Sequence, residues 1–329
     1  MSPTDAVARH VTLRELRLLL AVARSGSILK AANEIGVTQP ALPRSIADLE
    51  GAFGVRLFDR TNRGVAPTPH GEVLLRRATG VFEELRQAVN ELRALADAAH
   101  GELRIGGTPA MCAGLLPRII GTVRSDRPRL QFHVAELESG KLASEVVGRS
   151  LDLGLGREHA VRESHDLVFE GLFEDRLFVV AGSQHPLAER RSISLEETLR
   201  HHWVLPTEGA VTAHLQGEFG RQGLAIPEAA ITTMSMLVRC ELIATGSFLT
   251  VMYGSVLRFG NAPKSLRVLP VDLPSGIPVG VIRLKNRTLA PSAEMFIQAS
   301  RRMVRSMPSL SASQLRRARP APPRPPRSF

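Results

Sequence analysis

The stretch SILKAANEIGVTQPALPRSIADLE, residues 27–50, predicts two short helices joined by a tight turn. Ser27 is a suitable N-cap, because its hydroxyl can accept a hydrogen bond from a free amide of the first turn. Gly36 lies where the chain must turn, and glycine tolerates a positive φ there. Thr38 is expected to cap the second helix, with Gln39 and Pro40 in its first turn. Apolar residues then recur on one face of that helix: Leu42, Ile46 and Leu49. The pattern is that of a helix-turn-helix, whose second helix can enter a DNA major groove, although an ordinary helical core would show it too.

The segment that follows predicts a two-stranded wing. GVRLFDR, residues 54–60, runs into TNRGVAPT, residues 61–68, with Arg60 and Arg63 close to the tip between the strands. With this wing in place the chain resembles the LysR-type transcriptional regulators. The resemblance is carried by AANEIGVTQPALPRSIADLE, GVRLFDR and TPHGE, which occur in order and with the expected gaps. It extends over nearly the whole chain and is strongest in the first 75 residues.

The second helix of the helix-turn-helix carries the predicted DNA contacts. The amide of Gln39 can pair with adenine, and Arg44 can reach a base or a phosphate. The two wing arginines are expected to contact the DNA backbone or the minor groove. The resemblance implies that Thr38, Gln39, Pro40 and Arg44 match positions that contact DNA. The complete predicted set is Ile28, Thr38, Gln39, Pro40, Pro43, Arg44, Ala47, Arg60 and Arg63.

Pro43 departs from the family pattern, which usually has a small hydroxyl residue at this position. Counted as the fifth residue of the helix, Pro43 would withhold an N–H from the carbonyl of Gln39, at a cost of roughly 3 kcal/mol. The sequence therefore predicts a kink or a loosened first turn where the bases are read. On this interpretation, Pro43→Ser would stabilise the domain and tighten DNA binding.

Charge and cysteine usage limit the cellular context. The net charge is +10, and five arginines of residues 314–329 account for half of it. Residues 1–68 carry nine Lys or Arg against six Asp or Glu, a net charge of only +3. DNA binding must then depend more on the placement of charges than on their number. Cys112 and Cys240 are too far apart for a disulfide framework or a metal motif, and a reducing cytoplasm is the simplest location. No signal peptide or membrane span is predicted.

Residues 69–99 predict one long helix with a heptad repeat. Its apolar positions alternate in steps of four and three: Leu74, Ala78, Val81, Leu85, Ala88, Leu92, Leu95 and Ala99. Such a stripe either packs on its own domain or pairs with a second copy of the chain. The sustained 3.5-residue period favours pairing, and the resemblance implies that this helix is the dimerisation linker. The protein is accordingly expected to be a homodimer or homotetramer.

From residue 101 strands and helices alternate, which predicts an α/β fold with a parallel sheet. Together with the first 68 residues this gives an α + α/β chain. We expect a winged helix-turn-helix over 11–68 and an effector-binding domain over 101–305, similar to periplasmic binding proteins. Its lobe I covers about 101–170 and 265–305, and its lobe II about 171–264. Residues 308–329 are Pro/Arg/Ser-rich and are expected to be disordered, as a solvated tail or as an arm that contacts phosphates.

The cleft between the lobes is the predicted ligand site. Thr108 and Pro109 begin a helix after a strand, where an anion could bind, although Thr108 as a simple cap fits equally well. Arg157 follows another strand and is either a surface residue or the partner of an anionic ligand. Leu137 replaces the usual glycine near Ser139, which alters the polar rim. The complete predicted set is Thr108, Pro109, Met111, Ser139, Arg157, Pro206, Thr207, Ser247 and Thr250.

These features predict a sequence-specific DNA-binding regulator controlled by a small effector, which the resemblance suggests is a carboxylate or a sugar. The alternative is a cytoplasmic ligand-binding protein or a redox sensor that uses Cys112 and Cys240. Burial of both cysteines as small apolar residues explains them better. His201 and His202 are adjacent on a predicted strand and point apart, so they do not form a metal site. The chain has no GxSxG, P-loop or GxGxxG motif, and we expect no enzymatic activity and no cofactor.

Overall fold

The computed structural model describes residues 11–305, apart from residues 39, 62–63, 97–100, 163, 208 and 261–264. The chain divides into two compact units, and the main boundary between them falls after Leu92 in the sequence. The expected leader (1–10) and tail (308–329) and the predicted end of the linker helix (97–99) lie outside the described residues. The elements of the first unit are α1 (Leu13–Ser25), α2 (Ile28–Ile35), α3 (Ala41–Phe53), β1 (Phe58–Thr61), β2 (Gly64–Pro67) and α4 (Pro69–Ala96).

Local capping explains where the first two helices begin and end. Thr12 and Glu15 form a capping box at the start of α1, in which each side chain bonds the other residue's backbone amide. The Ser27 hydroxyl accepts from Lys30 N at 3.4 Å, so the predicted cap of α2 is confirmed. Gly26 and Gly36 end α1 and α2 with φ of 64° and 72°, values that favour glycine.

The wing is fixed to the helices by close backbone contacts. β1 and β2 pair antiparallel, with Thr61 opposite Gly64. Val65 N donates to Gly26 O at 3.0 Å, and a side chain on Gly64 would collide with that same carbonyl. The hydroxyl of Thr68 then donates to Arg56 O at 2.7 Å and accepts from Gly71 N at 3.0 Å. Thr68 therefore joins the end of the wing to the first turn of α4.

Helix α4 divides its apolar stripe between two uses. Near its start, Leu74, Leu75 and Phe82 pack with the buried Ala78 against the core of the first unit. Further along, Val81, Leu85, Val89 and Leu92 are exposed, Leu92 to 67%. The two interpretations of the heptad repeat thus apply to different parts of one helix, since its first turns pack on their own domain and its later turns present an uncovered apolar face.

The second unit alternates strands and helices. Lobe I begins with β3 (Gly101–Gly107), α5 (Pro109–Cys112), α6 (Leu115–Asp126), β4 (Leu130–Glu136), α7 (Ser139–Val147) and β5 (Leu153–Arg157). The long β6 (Leu167–Gly182) leads into lobe II. Lobe II contains α8 (Leu195–Thr198), β7 (His202–Leu205), α9 (Ala210–Arg221), β8 (Ala229–Thr232), α10 (Met236–Ala244), β9 (Phe248–Tyr253), α11 (Gly254–Phe259) and β10 (Leu266–Val268). The chain returns through β11 (Gly276–Leu284) to α12 (Pro291–Arg305).

One sheet runs through both lobes in the order β4-β3-β5-β11-β6-β9-β7-β8, with β10 also paired to β6. In lobe I, β3 is parallel to β4 and β5, and in lobe II, β7 is parallel to β8 and β9. The antiparallel β6 and β11 connect the two groups. The predicted fold class is confirmed, but the chain returns to lobe I later than residue 265, because β10 pairs with the lobe II end of β6. No helix in the described part of the chain has both the length and the apolarity needed to cross a bilayer.

Candidate nucleic-acid interface and ligand cavity

Helix α3 presents one apolar and one outward face. Leu42, Ile46 and Leu49 are buried in the core of the first unit, as predicted. The residues predicted to contact DNA lie on the other side and are exposed: Pro40, Pro43, Arg44 and Ala47. Because these positions are spaced by three and four residues, they form one continuous surface. The helical spacing of these four residues in the sequence was therefore sufficient to predict that they share one face.

The start of α3 differs from the expectation. The helix begins at Ala41, and its N-cap is Pro40, with no side-chain capping bond, so the prediction that Thr38 caps it is wrong. Pro43 is the third residue of the helix. With Thr38 as the cap it would have been the fifth. An N–H at this position has no acceptor within the helix, so Pro43 removes no intrahelical bond. The sequence predicted a kink or a loosened first turn here, and the structure shows that Pro43 does not interrupt α3, which continues as a helix to Phe53.

The other predicted DNA contacts are placed less completely. Thr38 is exposed in the turn, and its carbonyl accepts from Ala41 N at 3.0 Å. Ile28 is half-buried and packs against the core, which makes it a support for the turn. Arg60 lies on β1, where only its backbone is described, while Gln39 and Arg63 lie outside the described residues.

A cavity of about 280 Å³ lies between the two lobes of the second unit. Six of the nine predicted ligand residues line this cavity: Thr108, Pro109, Ser139, Arg157, Pro206 and Thr207. The structure does not bring the other three to its wall. Met111 is fully buried in the core, Ser247 is exposed before β9, and the Thr250 hydroxyl donates to Val204 O at 2.6 Å.

Arg157 is the main polar group of the lobe I wall. It ends β5 and is only 2% exposed, so the surface alternative is wrong. Its Nη1 donates to the Thr108 hydroxyl at 3.5 Å, and its guanidinium carbon lies 3.7 Å from the centre of the Tyr253 ring. Nε and Nη2 have no hydrogen-bond partner among the described residues. The Thr108 hydroxyl makes no capping bond to α5, which leaves it available to this cluster.

The buried carboxyl group of Asp175 interacts electrostatically with Arg157. The carboxylate is buried and accepts from Ser255 N at 3.0 Å and from Ser255 Oγ at 2.5 Å. Burial raises the pKa of Asp175, while the Ser255 bonds and the positive charge of Arg157 oppose that rise. Burial, followed by the charge of Arg157, lowers the pKa of His159, a cavity residue, so its imidazole is neutral at pH 7. His159 therefore adds no charge to the lobe I wall, where Arg157 is the buried basic group.

Arg239 on α10 is a cavity residue that the sequence analysis missed. It is 4% exposed, and burial lowers the pKa of its guanidinium, which nevertheless stays protonated at neutral pH. Its Nη1 donates to Val251 O at 3.4 Å and its Nη2 contacts the sulfur of Met236 at 3.5 Å. The spacing to Ile243, one helical turn away and also buried, was the available signal, because it places Arg239 on the inward face of α10.

The rest of the lobe II wall is mostly apolar. The side chains that the sequence analysis did not select are Val211, Met234, Met236, Val251, Met252 and Tyr253. Tyr253 is buried, and its hydroxyl lies 3.3 Å from Nδ1 of His214. Burial raises the pKa of Tyr253, so the phenol is neutral at pH 7. The cavity therefore combines two guanidinium groups with flexible apolar side chains that adapt to a ligand's shape.

Neither cysteine has the character of a reactive thiol. Burial raises the pKa of Cys112 to about 12, and Glu136 adds to the effect. Burial also raises the pKa of Cys240. Since the thiolate is the reactive form, both side chains are poor nucleophiles at neutral pH. Among the described residues, no group of three or more His, Cys, Asp or Glu side chains could hold a metal ion.

Comparisons with known proteins match both units. Residues 13–72 match the family model described as "Bacterial regulatory helix-turn-helix protein, lysR family", and residues 96–305 match the "LysR substrate binding domain". The regulator TdcA of Escherichia coli K12 is 32% identical over 232 residues, which cover 70% of this chain and 73% of TdcA. GbpR of Azospirillum brasilense is 27% identical over 297 residues, 89% of this chain and 86% of GbpR.

Solved structures show the same fold. Full-length CbnR in complex with its target DNA superposes with a TM-score of 0.67 at 19% identity, over 89% of this chain and 99% of CbnR. At this level of identity the similarity concerns the fold.

Proposed function

The chain belongs to the LysR family of DNA-binding transcriptional regulators, and we propose that it reads DNA with the outward face of α3 and responds to an anionic effector in the cavity. The family settles the general function as a regulator with an effector-binding domain. Effector chemistry, residue roles and assembly are the proposals that follow. We also place its site of action in the cytoplasm, because its target is chromosomal DNA.

DNA reading uses the exposed surface of α3. Arg44 donates to a base edge or a phosphate, and Pro40, Pro43 and Ala47 offer apolar contact to thymine methyl groups. Thr38 and Gln39 precede the helix and contact the backbone and a base, respectively. Arg60 and Arg63 in the wing contact the phosphates or the minor groove. This assignment is supported by the outward, exposed position of Pro40, Pro43, Arg44 and Ala47 on α3.

Assembly uses the later turns of α4. The uncovered face of Val81, Leu85, Val89 and Leu92 would be costly to expose in a monomer. A second copy of α4 covers it with the same heptad pattern, which makes the protein a dimer or a higher oligomer. Two copies of α3 then reach two half-sites on one face of the DNA.

The effector is an anion, and the single observation that carries this proposal is Arg157. A guanidinium that is almost fully buried, with two nitrogens unbonded among the described residues, is poorly satisfied by the protein groups around it. A carboxylate completes its bonding, with the Thr108 hydroxyl beside it. Ser139 and Thr207 add polar contacts, and Pro109 and Pro206 shape the walls. The cavity thus binds a small acid without transforming it.

A thermal-shift screen of the full-length protein against small carboxylic acids tests this proposal. At least one acid should raise the melting temperature, because a ligand that binds only the folded state stabilises it. Arg157→Gln should remove the response, whereas Arg162→Gln, which changes an exposed arginine of the same lobe, should retain it. An equal response in the Arg157→Gln variant would contradict the role of Arg157.

Redox sensing is not supported, because burial raises the pKa of both thiols. We expect a Cys112→Ala/Cys240→Ala variant to regulate as the natural protein does. Loss of regulation in this variant, with folding intact, would restore the redox alternative.

A further inference from the structure

A second positive charge faces the same cavity from the opposite lobe. Arg157 extends from β5 in lobe I, and Arg239 extends from α10 in lobe II. Both side chains are at least 96% buried. Among the described residues no carboxylate forms an ion pair with Arg239, and its Nε lacks any hydrogen-bond partner. Glu138, the acidic residue of the described wall, is exposed.

Both guanidinium groups are anchored to one strand. Arg239 bonds to the carbonyl of Val251, while Arg157 stacks on the ring of Tyr253, two residues further along β9. Residues two apart on a strand are separated by roughly 7 Å along it, so the two guanidinium groups are held at separate points of β9. A molecule with a few carbon atoms between its charged ends has about this length. Met234 and Met236 line the same cavity and are available to contact such a spacer.

Arg157 interacts electrostatically with the buried Asp175, but it has no ion pair of its own among the described residues, and neither has Arg239. A buried guanidinium in a cavity wall without such a pair is unfavourable, and a ligand anion can compensate it. One monoanion can neutralise Arg157 or Arg239, but not both, when the two groups are anchored at separate points. A ligand with two anionic ends satisfies both. Arg239 would then favour ligands with two negative charges over ligands with one.

We propose that the effector is a dianion, a small dicarboxylic acid with one carboxylate on Arg157 and the other on Arg239. This inference rests on the proposed binding of an anion at Arg157 and adds the second contact. Because the two arginines belong to different lobes, a bound dicarboxylate connects lobe I to lobe II. It stabilises the lobe arrangement in which both arginines are within reach, and so it shifts the population between arrangements.

Isothermal titration calorimetry on the full-length protein tests the proposal with matched pairs of acids. The probes are linear dicarboxylates of four to six carbons, saturated and unsaturated, each compared with the monocarboxylate of the same length. At least one dicarboxylate should bind ten-fold or more tightly than its monocarboxylate. A phosphorylated acid of similar length forms a further arm, which tells whether the Arg239 end accepts phosphate instead of carboxylate.

The variants separate the second contact from the first. Arg239→Gln should bring the ratio of the two affinities close to one, while the monocarboxylate affinity stays within about two-fold. Arg157→Gln should weaken both ligands. Arg239→Met preserves an apolar wall if the amide is poorly tolerated, and Arg190→Gln changes an exposed lobe II arginine as the control. Glu208→Gln, at a position outside the described residues, should leave the ratio unchanged.

Two failures are distinguishable. If monocarboxylates bind as tightly as dicarboxylates, or if no dicarboxylate binds while another anion does, the dianion proposal is overturned and the site at Arg157 survives. A ratio that collapses in Glu208→Gln would likewise overturn the pairing of Arg239 with the ligand. If Arg157→Gln has no effect on any acid that binds, the proposed anion site itself is wrong.

Discussion

The outward face of α3 and the wall of the cavity are the two surfaces proposed to bind ligands, and their arginines differ in burial. Arg44 is exposed and within a few residues of its neighbours on one helix. Arg157 and Arg239 are buried and are 82 residues apart in the sequence. The first surface is a by-product of helical periodicity, while the second exists only when two lobes are assembled.

In the first unit a substitution on α3 can change DNA binding without changing stability. In the second unit a substitution of a buried arginine changes ligand binding and stability together. A polar side chain on an exposed helix face contributes little to folding, so α3 can be specialised for DNA at almost no cost in stability. The buried guanidinium groups should lower the free energy of unfolding in the absence of ligand, and the proposed anion should raise it. Substitutions on α3 should then change binding alone, and substitutions in the cavity should change binding and stability together.

The largest effect is expected from the uncovered face of α4, which delivers α3 in pairs. Leu85→Glu/Leu92→Glu places two charges in the proposed helix pair and should dissociate the oligomer. DNA affinity should fall about a hundred-fold or more, because the two half-sites are then bound independently. Sedimentation velocity and fluorescence anisotropy measure the two effects, with Arg76→Glu, on the opposite side of α4, as the control. An unchanged sedimentation coefficient would show that α4 does not mediate assembly.

Arg44→Ala should weaken DNA binding about ten- to hundred-fold, since a good base contact contributes ~1–3 kcal/mol. The unfolding midpoint should not move, because Arg44 is exposed. Arg14→Ala removes the same charge from the exposed side of α1 and controls for bulk electrostatics. Equal losses in both variants would mean that total charge matters more than placement.

Arg239→Met provides the opposite case. Replacing the buried guanidinium by an apolar side chain of similar length should raise the free energy of unfolding by about 1–3 kcal/mol in the absence of ligand. Trp203, the sole tryptophan of the chain, is fully buried in lobe II and reports this unfolding by its fluorescence in urea. A destabilised Arg239→Met protein would show that the bonds of Arg239 to the protein outweigh its burial.

Acid should act on the second unit through His185. Burial lowers the pKa of His185 to about 4. Between pH 6.5 and 4, His185 is therefore protonated in the unfolded chain but stays neutral in the folded chain. Stability is therefore lost as the pH falls through this window. His185→Gln should make the Trp203 unfolding midpoint less dependent on pH between 7 and 5. The same substitution at the exposed His202 is the matched control. Equal pH slopes in the His185→Gln and natural proteins would refute the assignment to His185.

Pro43→Ser should have the smallest effect, a change in unfolding free energy within about 0.5 kcal/mol, because the proline occupies the first turn of α3. Asp48→Pro places the same ring inside the helix and should cost roughly 3 kcal/mol. Urea denaturation of both variants makes the comparison. A clear stabilisation by Pro43→Ser would support the sequence-based prediction that Pro43 distorts the first turn of α3.

The sequence was most informative where structure depends on near neighbours. The buried face of α3, the Ser27 cap and the placement of Thr108 and Arg157 after strands all follow from local spacing. Arg239 and Tyr253 were missed because only the assembled lobes bring them to the same cavity. Pro43 was misjudged because the helix start, two residues later than assumed, is decided by the turn. The stripe on α4 was ambiguous, since a heptad pattern looks the same whether Phe82 packs on its own domain or Leu85 on a partner.

Selection of DNA from a random pool by the full-length protein is the most direct test of the account, performed in parallel with the Arg44→Ala variant. The natural protein should enrich a sequence with two half-sites separated by about one helical turn or a multiple of it. The Arg44→Ala variant should lose preference at a defined base in each half-site. A natural-protein pool that stays random, or identical enriched sequences from both proteins, would contradict the proposal that the outward face of α3 reads DNA.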